Sequence, residues 1–481
     1  MSAIPRFPAV LRAQTQIWMR SPLVVVPFGA AGYSLLVAGL QFATAEPTWA
    51  DSLAHLNMWV VMIGPLFTAV LAGALAMVDK RSRSGGVEYR AVTRSMLRNA
   101  RFVIIAVWCL LAHSATLTVS GALGLVSTTA APLQIVGDSI GLLAVLWISY
   151  LGYCALLTLV GELAGIGGCV AVGLLFSVLG TVSAESSLWY LAPPAWIVRP
   201  ALPLIGTHAN GVGLDGAQID HGPAAAVLGA VSAVAFLLAA PAISGTVQRL
   251  RNWAPSAPPA RSRVRYGTPG RRYGSPTAAV FAILRSWWVG VMAVGAVGAT
   301  VLLQWWYSPS VAYLFFALIV LPMGCAVLPA IWIPRIQEGF RAVAVRPRDP
   351  RTLATRVALF LLATEALVCV IVGVTAVLAK ESVSGALRQV MVSAVVGAML
   401  VMLSALITAV GGRIAGLLAG FVGVLFGTLV GGTGLADLVG LAVPWSWAAY
   451  LEASRMIFTI PLACAAAALM YRIFARRMTR V

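Results

Sequence analysis

The chain is 481 residues long, 60% of them hydrophobic and only 10% charged, with a mean hydropathy of +0.92 and a net charge of +18. So few charges cannot cover a water-facing surface, which in soluble proteins carries about 25% charged residues, and so apolar a composition excludes a disordered chain. The expected class is an all-α polytopic membrane protein, and the excess of 33 Lys and Arg over 15 Asp and Glu becomes a question of where the charges sit.

The first element is a basic amphipathic helix. Phe7, Val10, Leu11, Gln14, Ile17 and Trp18 fall on one helical face, flanked by Arg6, Arg12 and Arg20, the pattern of a helix lying in a membrane surface. No short apolar run ending in a cleavage site suggests a signal peptide. A bilayer core about 30 Å thick needs roughly 20 apolar helical residues. Twelve windows qualify: Pro22–Ala43, Met58–Val78, Phe102–Val126, Ile140–Val160, Gly165–Val182 and Pro223–Ile243, then Val289–Tyr307, Val311–Ile333, Val357–Leu378, Val390–Val410, Ile414–Val430 and Met456–Ile473. The fifth and eleventh are short and glycine-rich, which predicts broken or tilted helices. Ala279–Trp288 is a poorer counterpart of the leading amphipathic helix.

Twelve spans put both termini on one side. Of the 33 basic residues, 29 then fall on that side, and only Arg199, Lys380, Arg388 and Arg455 on the other. Lys and Arg favour cytoplasmic loops, so both termini are expected in the cytoplasm, with anionic lipid headgroups as neighbours. The charge needs no nucleic-acid partner. Trp49, Trp59, Trp189, Trp196, Trp305, Trp306, Trp445 and Trp447 lie near expected outer ends, and Trp18, Trp253, Trp287, Trp288 and Trp332 near inner ends, as an interfacial belt requires.

The sequence repeats. Tyr89–Val92 matches Phe340–Val343, Leu179–Thr181 matches Phe426–Thr428, and Pro194–Trp196 resembles Pro444–Trp447, at offsets of 251, 247 and 250. Matches in one order at near-constant offset predict two six-span halves in parallel orientation. The expected divisions are 1–247, a basic Pro/Gly/Ser-rich cytoplasmic linker at 248–276, and 277–481.

Four features invite function. The loops Asp79–Arg101 and Pro334–Arg356 follow the second span of each half, and each holds one Glu in basic surroundings. Glu88, Tyr89 and Arg90, with Glu338, Phe340 and Arg341, could each sit on a short helix able to receive a push from a soluble motor. Ser187–Pro203 and Leu435–Ser454 follow the fifth spans; they are apolar, Pro-broken and Trp-rich. They read as re-entrant or interfacial helices closing the outer side of a cavity, around Pro193, Pro194, Trp196, Pro444, Trp445 and Trp447. His113 and Glu365 are ionisable groups inside the third and ninth windows, where a charge costs at least about 2.5–3.5 kcal/mol. They read either as cavity contacts for substrate or proton, or as hydrogen-bonded structural groups. Glycines crowd the fifth span of each half, for close packing or as a hinge.

No phosphate-binding loop, HExxH, GxSxG or paired-cysteine zinc pattern occurs. The six cysteines fall in apolar stretches and read as core residues. No catalytic site, metal or cofactor is expected in this chain.

An interfacial basic helix leading into six spans, a Glu-bearing loop after the second and a Pro/Trp element before the sixth, all of it twice over, resembles the permease of a type-2 ABC exporter. The resemblance implies that the 88–90 and 338–341 loops are coupling helices and the Pro194 and Pro444 segments an outer gate. It implies two copies of a separate ATPase chain that bind ATP and Mg, an amphiphilic or hydrophobic substrate, and residence in a bacterial plasma membrane. Two other classes compete: a proton-coupled secondary transporter using Glu365 and His113, and an integral membrane transferase, for which the outer acids Asp51, Asp138, Asp215 and Asp220 are too scattered.

Overall fold

A computed structural model describes residues 6–44, 48–83, 92–127, 130–214, 219, 222–253, 287–306, 308–343, 350–431 and 436–478, without the side chains at several helix ends. The described chain is helical, and its single β-bridge joins Thr207 to Gly213. It divides into two compact units, Met1–Ser256 and Ala257–Val481. Among the described residues eight helices are long and apolar enough to cross a membrane. The protein is therefore an all-α polytopic membrane protein.

In the first unit, α1 spans Phe7–Met19 and leads through a 3-10 turn at Pro22–Val25 into α2, Val26–Thr44. The face expected from sequence is the covered one: Val10, Gln14 and Trp18 are buried, Phe7, Leu11 and Ile17 half-buried, and every other described residue of α1 is exposed. That face lies against a later helix of the unit as well, with the Trp18 and Trp108 ring centroids 5.6 Å apart. The short α3, Trp49–Ala54, opens with a reciprocal cap between Thr48 and Asp51. A π-turn at Trp59–Ile63 runs into α4, Gly64–Arg83. Next come α5, Arg94–Ser127, and α6, Pro132–Ser183.

At 52 residues α6 would measure about 78 Å if straight, more than twice the hydrocarbon thickness. It is instead two antiparallel arms. Gly165 has φ 69° and ψ −159°, a region open essentially to glycine alone. The chain reverses there without a loop. The Cys169 thiol lies 3.5 Å from the Leu157 carbonyl oxygen, a separation that a straight helix would stretch to about 18 Å. Tyr153 and Phe176, on opposite arms, stack at 4.6 Å. The expected fourth and fifth windows are the arms of this hairpin. A cap follows, made of a 3-10 turn at Trp189–Leu191, α7 at Ala195–Val198 and α8 at Leu202–Ile205, before α9, Gly222–Trp253. Residues 248–253, assigned to the linker from sequence, continue α9; the remainder of 248–276 lies outside the described residues.

The second unit repeats this order from α10, Trp287–Trp306. Residues 279–286 of the second amphipathic candidate are outside the described residues. A short α11, Pro309–Phe315, leads through a π-turn at Phe316–Val320 into α12, Leu321–Val343. Then come α13, Pro350–Leu378, and α14, Val383–Gly431, which reverses at Gly412 with φ 82° and ψ −177°. Gly165 and Gly412 are 247 residues apart, the offset already seen between Leu179–Thr181 and Phe426–Thr428. The second cap is α15, Ala436–Val439, with 3-10 turns at Gly440–Ala442 and Pro444–Ala449, and α16 closes the unit at Ala453–Met478.

Candidate functional site

The caps hold the residues proposed from sequence as an outer gate. In the first unit the Trp196 indole N–H donates to the Tyr190 carbonyl at 3.2 Å. In the second, Trp447 donates to Leu441 at 3.3 Å and to Gly440 at 3.2 Å. Both bonds close a loop of six residues around the prolines: Pro193 and Pro194 in one cap, Pro444 in the other. The caps rest on the glycines of the second hairpin arm. A Cβ on Gly180 would lie 3.0 Å from the Pro194 carbonyl oxygen, and one on Gly423 would fall 2.2 Å from Cδ1 of Trp445. Gly180, Gly423 and Gly427 thus seat the caps, Gly173 and Gly420 meet Ala69 and Ala326 of the second spans, and Gly165 and Gly412 are the turns of the hairpins. In the first unit Tyr153, Phe176, Pro193, Trp196 and Phe236 line a groove between the hairpin, the cap and α9.

An arginine that the sequence offered only as a minority charge pins each cap. Arg199 is buried, donates to the Ala184 carbonyl, and lies 4.9 Å over the Trp189 ring. Arg455 pairs with Asp437, reaches Glu452 at 3.5 Å, and lies 4.8 Å over Tyr450. Tyr313 adds a bond to the Ala448 carbonyl at 2.6 Å. The first cap alone carries a further outer loop, where Glu185 accepts from the Ala209 N–H at 2.6 Å and meets His208 Nδ1 at 2.7 Å. These contacts tie the caps to the rest of their units.

His113 and Glu365 are both buried, and each faces its own unit's interior. The Trp59 indole N–H donates to His113 Nδ1 at 3.0 Å, and Nε2 lies 3.3 Å from the Cys109 sulfur. Tyr150 meets the same imidazole edge-on at 4.7 Å. Glu365 Oε1 accepts from the Cys369 thiol at 2.9 Å. Its carboxyl presses on α14 where Gly397 leaves room: a Cβ there would lie 2.1 Å from Oε1. Neither residue lines the groove beneath the first cap.

Glu88, Tyr89 and Arg90 lie outside the described residues. Glu338, Phe340 and Arg341 are on the last turns of α12, their side chains outside the described set. The second of the two expected loop helices is therefore continuous with its span, because nothing after Pro334 breaks the helix. The first unit holds a charged cluster at one end of its bundle. Arg98, 3% exposed, pairs with Glu162, 14% exposed, at 2.8 Å and donates to Ser244 at 3.2 Å, tying α5, the hairpin and α9 together. In the second unit Thr355 and Tyr471 join α13 to α16 at 2.8 Å. Among the described residues no group of three His, Cys, Asp or Glu could hold a metal ion.

No protein-family model, curated protein or solved structure matches the chain.

Proposed function

We propose that the chain is the transmembrane permease of an ATP-driven exporter: two six-span halves in parallel orientation, both termini cytoplasmic, in a bacterial plasma membrane. Two copies of a separate ATPase, which bind the ATP and Mg, act through the Glu88–Arg90 and Glu338–Arg341 segments. The substrate is amphiphilic or hydrophobic: a drug, antibiotic, peptide or lipid. The observation that supports this best is the repeated order of second span, third span, loopless hairpin, seated cap and last helix. Under this reading the cap closes the outer end of each half, and the ends of the second and third spans face the cytoplasm. Such a body has places for a push and for a gate.

The competing reading, a proton-coupled transporter, rests on His113 and Glu365. It draws little support from their positions, since His113 has both ring nitrogens engaged and Glu365 is closed in by Gly397 and Cys369.

The test is co-purification of the chain with a P-loop ATPase encoded beside it. The expected outcome is two ATPase copies per permease and ATP hydrolysis stimulated by substrate. Replacing both Glu88 and Glu338 with Ala should abolish the stimulation; normal coupling in that double variant would sink the reading.

A further inference from the structure

The groove beneath the first cap has a closed floor. There α6 and α9 cross in direct contact: a Cβ on Gly152 would fall 1.8 Å from the Ser232 hydroxyl oxygen, and one on Gly229 would lie 2.5 Å from the Ser149 carbonyl oxygen. The walls are Tyr153 and Phe176 of the hairpin, Pro193 and Trp196 of the cap, and Phe236 of α9. The space is about 220 Å³, less than the roughly 300–1,000 Å³ that takes a whole drug-sized molecule.

Four polar side chains line the groove, and each already donates inside the protein. Ser149 donates to the Leu146 carbonyl at 2.9 Å, and Ser232 to that of Gly229 at 2.8 Å. The Tyr153 hydroxyl donates to the Pro65 carbonyl at 3.0 Å, and the Trp196 indole to that of Tyr190 at 3.2 Å. Every side-chain donor is spent. A carbonyl, ether or phosphate placed there loses its partners in water and finds no donor in exchange. Hydrocarbon pays no such penalty.

The groove is also continuous with the surface that faces lipid. Ser232 and Phe236 share one face of α9 with Ala239 and Ile243, and the last two are exposed. α9 belongs to a helix long and apolar enough to cross a membrane. An apolar groove left empty forfeits its dispersion contacts, and the apolar matter around a membrane-crossing helix is lipid tail.

We propose that this groove is a binding site for one acyl chain of a membrane phospholipid, selected by shape and not by headgroup. The chain enters past Leu156 and Phe236, both half-buried, and its end packs between the Tyr153–Phe176 stack and Trp196. The site follows from the helices and the bilayer and does not depend on an ATPase.

The experiment places the full chain in phosphatidylglycerol nanodiscs that contain a phosphatidylglycerol analogue with a diazirine in mid-chain. Irradiation is followed by peptide mass spectrometry. Adducts are expected on Phe176, Trp196 and Phe236, as well as on Ile243 at the open end. Leu156→Trp puts a ring in the mouth and should abolish the first three while Ile243 stays labelled. If that variant fails to fold, competition on the unaltered chain decides. Unlabelled phosphatidylcholine with plain chains should displace the groove label as well as phosphatidylglycerol does, and a lipid with a ketone in mid-chain should not. Adducts on Ile243 alone overturn the inference, as does full groove labelling in a folded Leu156→Trp chain. So does equal competition by the ketone lipid, or a preference between the two headgroups. Clearance of the groove by tetraphenylphosphonium, with Ile243 still labelled, overturns it too and gives the groove to a lipophilic cation. No readout involves ATP hydrolysis or transport, so failure here leaves the proposed function standing.

Discussion

The indole N–H of Trp447 donates to the carbonyl of Leu441, six residues back in the chain. Trp196 and Tyr190 make the same bond 251 residues earlier. A Trp→Phe change removes the donor together with the five-membered ring that carries it. A net hydrogen bond is worth about 0.5–1.5 kcal/mol and a buried site also loses packing, so Trp447→Phe should lower stability by about 1–3 kcal/mol. Trp196 is half-buried and Trp447 fully buried, so Trp196→Phe should cost less. Thermal unfolding in detergent, read from the two single variants, checks the order.

The reversal glycines give a test of backbone strain without steric conflict. Nothing lies within 4 Å of a Cβ built on Gly412, yet its φ and ψ are open to glycine alone. Gly412→Ala should therefore destabilise by about 1–3 kcal/mol, and a denaturant titration measures it directly.

Gly423→Ala tests packing instead. Its Cβ would fall 2.2 Å from the Trp445 ring, whereas one on Gly324 meets nothing within 4 Å. The expected cost is about 1–3 kcal/mol at Gly423. Gly324→Ala should be neutral or stabilising by up to about 1 kcal/mol through helix propensity. Equal effects at the two sites would mean that the cap does not rest on the hairpin.

The Arg98–Glu162 pair predicts non-additivity. Glu162→Leu leaves a buried guanidinium uncompensated, which typically costs about 3–5 kcal/mol. Arg98→Met with Glu162→Leu should recover most of that loss. Unfolding midpoints of the two single variants and the double close the cycle.

Apolar windows were legible because lipid demands them: ten of the twelve fall in the eight helices long and apolar enough to cross a membrane, the other two, Pro22–Ala43 and Val289–Tyr307, lie over α2 and α10 outside those eight, and the six-residue face of α1 is the covered one. The glycine-rich fifth and eleventh windows announced a break, but not that the break is a full reversal, since a single dihedral pair decides between a kink and a hairpin. The π-turns were missed although Pro65 and Pro322 mark them at an offset of 257. A proline in an apolar window reads equally as a kink, and only the folded hairpin brings the Tyr150 and Tyr153 hydroxyls to the Val60 and Pro65 carbonyls at the first turn. His113 and Glu365 were found as polar groups at depth. Their partners, Trp59 and Cys369, could not be chosen from sequence because every nearby turn offers a candidate.

The loopless reversals also decide which spans are neighbours. The second arm of α6 after Gly165 is about 27 Å long, barely a membrane's depth, and no residues separate it from the first arm. Each arm therefore has its sister arm as an immediate neighbour, and a span and its return are one folded element in each half.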